Sequence, residues 1–445
     1  MTTPIDGLPT ELFLEVTRYL RHGDLFQLMQ VSKPCRQILS PILWKRIELH
    51  RPSYHSDYAY PHSHTDAGCE SRPYMHLPEW EPNSYLDKYH ADVAKAFIMM
   101  FESMPKDSSE RLRRLASQVR WLCLHVDPYE DDSVTRNCWN IFALFTNLEY
   151  LEVDAAWTAY NEVEPFNLGA QPLAKLRAVK LRGYVPREVV QYFCQQPSRI
   201  VDLELAVLDN PIGGTLAYER KNPPPEALEP PEDYDGMTEE DLEALNDEED
   251  FEEEEIAPRP LCWMPEGLGS QFTFLTRLWL CKPGEPRHRI FHETYYSMPS
   301  DQRTLDAWVS IIRAARATLV YLTLEDRLAI ENIETDSTGS NEFMQYYSHG
   351  PTYHRFVATV LPVLMEEAQW PELKYLQLYG LEIHDPTNSH TRDPHVNIRT
   401  KLRQRHPYAE VETYLGRRMT FDSTTGEVGM YGGDGIGWDC LDEDE

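Results

Sequence analysis

The sequence is short of several things that would have pointed elsewhere. Its eight cysteines lie at irregular spacings and form no C-x-x-C pair, so neither a disulfide framework nor a zinc ribbon is expected, and reduced, partly buried thiols are. There is no apolar run long enough for a transmembrane helix. The start, Met1-Thr2-Thr3-Pro4-Ile5-Asp6, lacks the basic residues and apolar stretch of a secretion signal. The expected compartment is the cytosol, the nucleus or both. Basic residues are scarce, 42 Lys and Arg against 73 Asp and Glu, which argues against nonspecific binding to nucleic acid. Phosphate-binding glycine loops, H-E-x-x-H and G-x-S-x-G are all missing, so no catalytic constellation is legible.

What is present divides the chain. At 445 residues it exceeds one compact core and fits a small plus a large domain, or a solenoid. Residues 1–50 read as three short helices. Pro9 sits early in the first, and Leu12, Val16 and Leu20 line one face with Phe13 beside them. Gly23-Asp24 is expected to end that helix and cap the next, which carries Leu25, Leu28 and Val31. Ser32 caps a third, with Ile38 and Leu39 facing inward, and Pro41 interrupts before Leu43-Trp44. Residues 51–84, rich in Tyr, His, Pro and Ser, read as an irregular loop. Their His62, His64 and Cys69, with His50 and His55 upstream, do not match a zinc-finger spacing, so no metal site is expected.

Over 85–421 a strand pattern, Leu-x-x-Leu-x-Leu, recurs: Val119/Leu122/Leu124, Leu148/Leu151/Val153, Leu176/Val179/Leu181, Ile200/Leu203/Leu205, Leu275/Leu278/Leu280, Leu319/Leu322/Leu324 and Leu373/Leu376/Leu378. A last strand is expected near Val411. Helical stripes fall between, such as Leu305, Trp308, Val309 and Ile312, or Phe356, Val357, Val360, Leu361 and Leu364. Residues two apart in a strand share a face, so the apolar pairs should point into a core and their neighbours outward. Residues 209–260 break the rhythm. Positions 226–255 hold 17 acidic residues and no Lys or Arg, more than half of the formal net charge of −31. Such a Pro-rich, like-charged insert is expected to be a disordered, solvated linker, and the acidic, Gly-rich 422–445 a tail of the same kind.

The spaced set Leu8-Pro9-Thr10-Glu11-Leu12, Val16, Leu20, Asp24-Leu25, Leu28, Val31-Ser32-Lys33, Cys35-Arg36, Leu39 and Leu43-Trp44 resembles the F-box, the helical module that docks substrate receptors onto the SKP-type adaptor of cullin–RING ubiquitin ligases. Cys35 departs from the family, which often has an aromatic there. The strand repeats look like an irregular leucine-rich-repeat solenoid, though repeat lengths vary and no Asn ladder follows the strands. The resemblance implies an α/β fold: a three-helix F-box followed by a leucine-rich-repeat-like solenoid of parallel strands alternating with helices. It implies a non-catalytic substrate receptor without cofactor, partnered by the adaptor, through it the cullin–RING ligase, and an unknown protein substrate, with neither nucleic acid nor membrane. The alternative is an interaction scaffold acting outside a ligase.

Carried over residue by residue, adaptor contact falls on Leu8, Pro9, Leu12, Leu20, Leu25 and Val31, some of which must instead hold the helices together. For the substrate, the outward strand positions offer Trp121, Tyr150, Trp279, Tyr321 and Tyr375, since Trp, Tyr and Arg dominate binding hot spots. Aromatics also favour strands for cross-strand packing alone.

Overall fold

In a computed structural model, the described residues are 9–17, 19–20, 22–49, 85–102, 109–126, 135–155, 168, 171–212, 257–284, 298–330, 351–367, 370–381, 398–414, 418–421 and 428–429. The loop expected at 51–84, with its His and Cys residues, lies outside them. So do the acidic run at 226–255 and most of 422–445.

The Pro9 carbonyl accepts the Phe13 N–H at 3.0 Å and opens α1, Thr10–Thr17. In α1, Phe13 and Thr17 are one turn apart and buried, while Leu12 and Val16 lie on the outer side. Gly23 and Asp24 fall inside the first turn of α2, His22–Val31, and not between helices as expected. The Asp24 carboxylate suits the positive end of that helix. Helix α3, Lys33–Lys45, begins as expected, with the Ser32 hydroxyl accepting the Cys35 N–H at 3.2 Å. It then runs through Pro41 without a break. Proline removes one helix hydrogen bond, but the turns on either side are held by packing: Leu39 is fully buried, and Ile42 and Leu43 lie against the same small core.

Helix α3 leads directly into β1, Arg46–Leu49. The sheet thus starts well before residue 85. It continues through β2 (Trp121–Val126), β3 (Tyr150–Ala155), β4 (Ala178–Gly183), β5 (Asp202–Ile212), β7 (Arg277–Pro283), β8 (Tyr321–Ile330), β9 (Tyr375–Tyr379) and β10 (Glu410–Tyr414). Among the described residues these nine strands pair in parallel, one after another in chain order and in register. One row across the sheet reads Ile47, Leu122, Leu151, Val179, Leu203, Leu278, Leu322, Leu376 and Val411, and every member is buried. Parallel strands need crossovers. These include α4 (Tyr85–Glu102), α5 (Ser109–Ala116), a 3-10 helix at Thr135–Leu144, α6 (Arg187–Phe193), α7 (Met298–Ala315), α8 (Pro351–Thr359), α9 (Leu361–Met365) and α10 (Ile398–Arg405). Together with the apolar rows they form one core reaching from Ile47 to Val411. The chain is thus mixed α/β, with a helical N-terminal region and a parallel sheet.

Three further strands lie off this path. β6, Ala257–Pro260, runs antiparallel to the extension of β5, pairing Asp209 with Arg259 and Ile212 with Ala257. An Arg259–Asp209 ion pair of 2.5 Å supports it. The ends of the segment expected to be disordered, 209–212 and 257–260, are therefore strand. Within β6, β5 is the one sheet partner among the described residues, so Pro258 and Pro260 fit an edge position where a ladder donor is not needed. β11, Arg418–Phe421, pairs in parallel with the end of β8 and antiparallel with β12, Val428–Gly429.

The helical module and the sheet share side chains. Trp44, at the end of α3, lies 6.4 Å from Phe97 and edge-on to Phe101 at 6.5 Å, both on α4. The Arg120 N–H, just before β2, donates to the Lys45 carbonyl at 2.9 Å.

Candidate functional site

The helical module has a small core of Phe13, Leu25, Cys35 and Leu39, with Leu20, Leu28, Met29, Ile38, Ile42 and Leu43 packed around it. Cys35 is buried within this core. What that core leaves outside is informative. Among the described residues, six of the eight exposed large hydrophobic side chains belong to this module: Leu12, Leu14, Val16, Tyr19, Phe26 and Val31. Leu12 and Val16 follow the i, i+4 spacing of one helical stripe on α1, and Tyr19 is exposed in the turn that follows.

The residues expected to contact an adaptor separate accordingly. Pro9, Leu12 and Val31 are exposed. Leu20 is half-buried against the core, and Leu25 is 4% exposed within it. Leu25 is therefore a core residue: an apolar side chain at helical spacing reads the same from either face, and only its packing partners decide. Leu8 lies outside the described residues. Leu14, Tyr19 and Phe26 were not singled out from the sequence.

The second region is the polar side of the sheet. Trp121 and Tyr150 stack with ring centres 3.4 Å apart, and the Arg46 guanidinium lies 4.7 Å from the Trp121 ring. Tyr321 and Tyr375 stack at 4.9 Å, with Arg277 at 4.9 Å from Tyr321. Trp279 stands in a different row, paired across the ladder with Glu204 and Thr323. The five aromatics thus share a side of the sheet as two stacks and a separate indole. Trp121, Tyr321 and Tyr375 are half-buried, whereas Tyr150 and Trp279 are buried.

Between the stacks the outward positions of β3–β5 are closed off. Glu152, Lys180, Arg182 and Glu204 are each at most 3% exposed, against the expectation that strand neighbours of the apolar rows face outward freely. Opposite charges on adjacent strands satisfy one another. Arg182 donates to Glu152 at 2.6 Å and to Glu204 at 3.3 Å, Lys180 lies 2.9 Å from Glu204, and the Tyr150 hydroxyl donates to Glu152 at 2.5 Å. Burial, and then the Glu152 charge, pushes the Tyr150 phenol well above its ordinary pKa. Burial likewise pushes Asp202 up to about 6, with Lys180 and Arg277 only partly offsetting it.

A second buried cluster joins the sheet to its helices. Lys282 on β7 meets Asp301 on α7 at 2.7 Å and Asp326 on β8 at 3.3 Å. Arg355 on α8 also pairs with Asp301. In both clusters buried charges of opposite sign lie against one another. No group of three or more potential metal-binding side chains occurs among the described residues. No helix among them is long and apolar enough to cross a membrane.

A three-helix module with several exposed apolar side chains thus joins the edge strand β1 of a parallel sheet. The family model described as F-box-like matches residues 5–50, from just before α1 through β1. The chain therefore carries an F-box-like domain, a kind of module that generally binds SKP-type adaptors and is typically found in non-catalytic adaptor subunits. No curated protein matches the chain.

Proposed function

We propose that this protein is the substrate-recognition subunit of an SCF-type cullin–RING ubiquitin ligase, working in the cytosol or nucleus. The outer face of α1 and α2 docks on the SKP-type adaptor, and the sheet domain, read as an irregular leucine-rich-repeat-like solenoid, holds a protein substrate. The observation that carries this reading is the concentration of exposed apolar side chains within the segment that matches the F-box-like model. No residue of the chain performs bond chemistry in this account. Its contribution is effective concentration: tethering brings substrate lysines near a ubiquitin-charged enzyme. The polar side of the sheet, with Trp121, Tyr321 and Tyr375 partly open, is the proposed substrate side.

Affinity purification of the full chain tests the reading in two stages. The adaptor is expected to co-purify, and a Leu8→Ala/Pro9→Ala variant is expected to lose most of it. Cullin is expected in the wild-type complex. Adaptor without cullin would instead identify an F-box scaffold acting outside a ligase, and failure to retain the adaptor would remove the F-box reading altogether.

A further inference from the structure

Among the described residues, the exposed large hydrophobic side chains outside the helical module are Phe274 and Tyr408. Phe274 borders a depression of about 430 Å³ at the N-terminal ends of β3, β4 and β5. Lys175, Arg177 and Arg199 line it, with Ser198 and Glu149. Arg120 already pairs with the Glu149 carboxylate at 3.1 Å. Among the described residues neither Lys175 nor Arg177 has an ion-pair partner. In a chain with 73 acidic residues, unpaired cations grouped beside an exposed aromatic ring are conspicuous.

Backbone groups at the floor are committed. The Arg177 N–H donates to the Glu149 carbonyl and the Val201 N–H to the Arg177 carbonyl, at 2.9 and 2.8 Å. Recognition there must use side chains, which excludes an added strand and favours an anionic ligand with an apolar contact. We propose that this depression docks a carboxylate-rich peptide segment of a partner protein, one apolar side chain of which rests on Phe274. The proposal builds on the reading that the sheet domain recognises a protein and adds, to the aromatic side proposed above, a second contact of stated chemistry at the N-terminal ends of its interior strands β3–β5.

The test is fluorescence anisotropy with the full chain and a short fluorescein-labelled peptide of Asp and Glu around a central Phe. Binding is expected, weakening with added salt because the cations are solvent-exposed. A Lys175→Glu/Arg177→Glu variant is expected to weaken it about tenfold, and Phe274→Ala about threefold, with melting temperatures and adaptor binding unchanged. The same titration on a chain whose residues 226–255 are replaced by a Gly-Ser linker covers competition by the chain's own acidic segment. Tighter binding to that form supports the site. Absence of binding to both forms, or binding indifferent to the charge reversal, overturns it. Because adaptor binding is read separately, either result leaves the proposed ligase role to be judged on its own experiment.

Discussion

Asp301 and Asp326 hold the same ammonium, Lys282, and behave oppositely. The charges of Lys282 and Arg355 outweigh burial at Asp301 and hold its carboxyl below the usual range. Burial dominates at Asp326 and pushes it up to about 6; its Oδ1 is buried without a hydrogen-bond partner. A lowered carboxyl stabilises the fold above its unfolded pKa, and that contribution is lost as pH falls through the folded value. A raised one does the reverse. Between the ordinary carboxylate pKa and about 6 the folded chain keeps a proton that the unfolded chain has released, so stability falls as pH rises through that window. Asp202 adds to the same slope. Asp301→Asn should cost about 3–5 kcal/mol at neutral pH, since it strips a buried ammonium of its nearest counter-charge. Asp326→Asn should be neutral or stabilising there and should flatten the rise in stability between pH 7 and 5. Urea unfolding of both variants across that range checks the contrast. None of this was legible in the sequence, because a carboxylate's partners on other strands are fixed only by the register.

At the level of elements, legibility followed the strength of the apolar pattern. The seven Leu-x-x-Leu-x-Leu segments all became strands of the parallel sheet, because apolar residues at alternate positions have one way to be buried on a pleated surface. The stripe from Leu305 to Ile312 became α7, and the one from Phe356 to Leu364 became two helices, α8 and α9. β1 escaped notice because four residues following a helix without a turn signal carry no period of their own. β6 was hidden by its two prolines and by the charged segment before it. Among the candidate adaptor residues, the sequence could not tell exposed Leu12 and Val31 from buried Leu25, because all three sit at helical spacing and only packing separates them. Turn geometry was equally invisible. Gly183 closes β4 at φ +71°, and a Cβ there would stand 2.1 Å from the Ala155 carbonyl oxygen. Gly183→Ala should therefore lower stability by about 2 kcal/mol or more, read as a drop in melting temperature, whereas Ala substitution at Gly267, which has the same sign of φ but open space, should cost about 1 kcal/mol.

For the whole molecule, the consequence of α3 continuing into β1 is that the helical module is joined directly to the sheet. Trp44 packs against the sheet's core and Ile47 heads its apolar row, so in the proposed function an adaptor on α1 and α2 would sit beside, not far from, a partner of the sheet. That suits a tether whose effect depends on distance. In the proposed function, the exposed apolar side chains of α1, Leu12 and Val16, would supply much of the contact area with the adaptor. The proposed adaptor contact is this stripe. The most direct measurement is calorimetric titration of purified SKP-type adaptor into the full chain and into a Leu12→Ser/Val16→Ser variant. Both side chains are more than half exposed, so the variant should melt as the parent does. The account predicts an affinity loss of about a hundredfold, roughly 3 kcal/mol for two apolar side chains left unburied at the interface. Equal affinity for the two forms would contradict it.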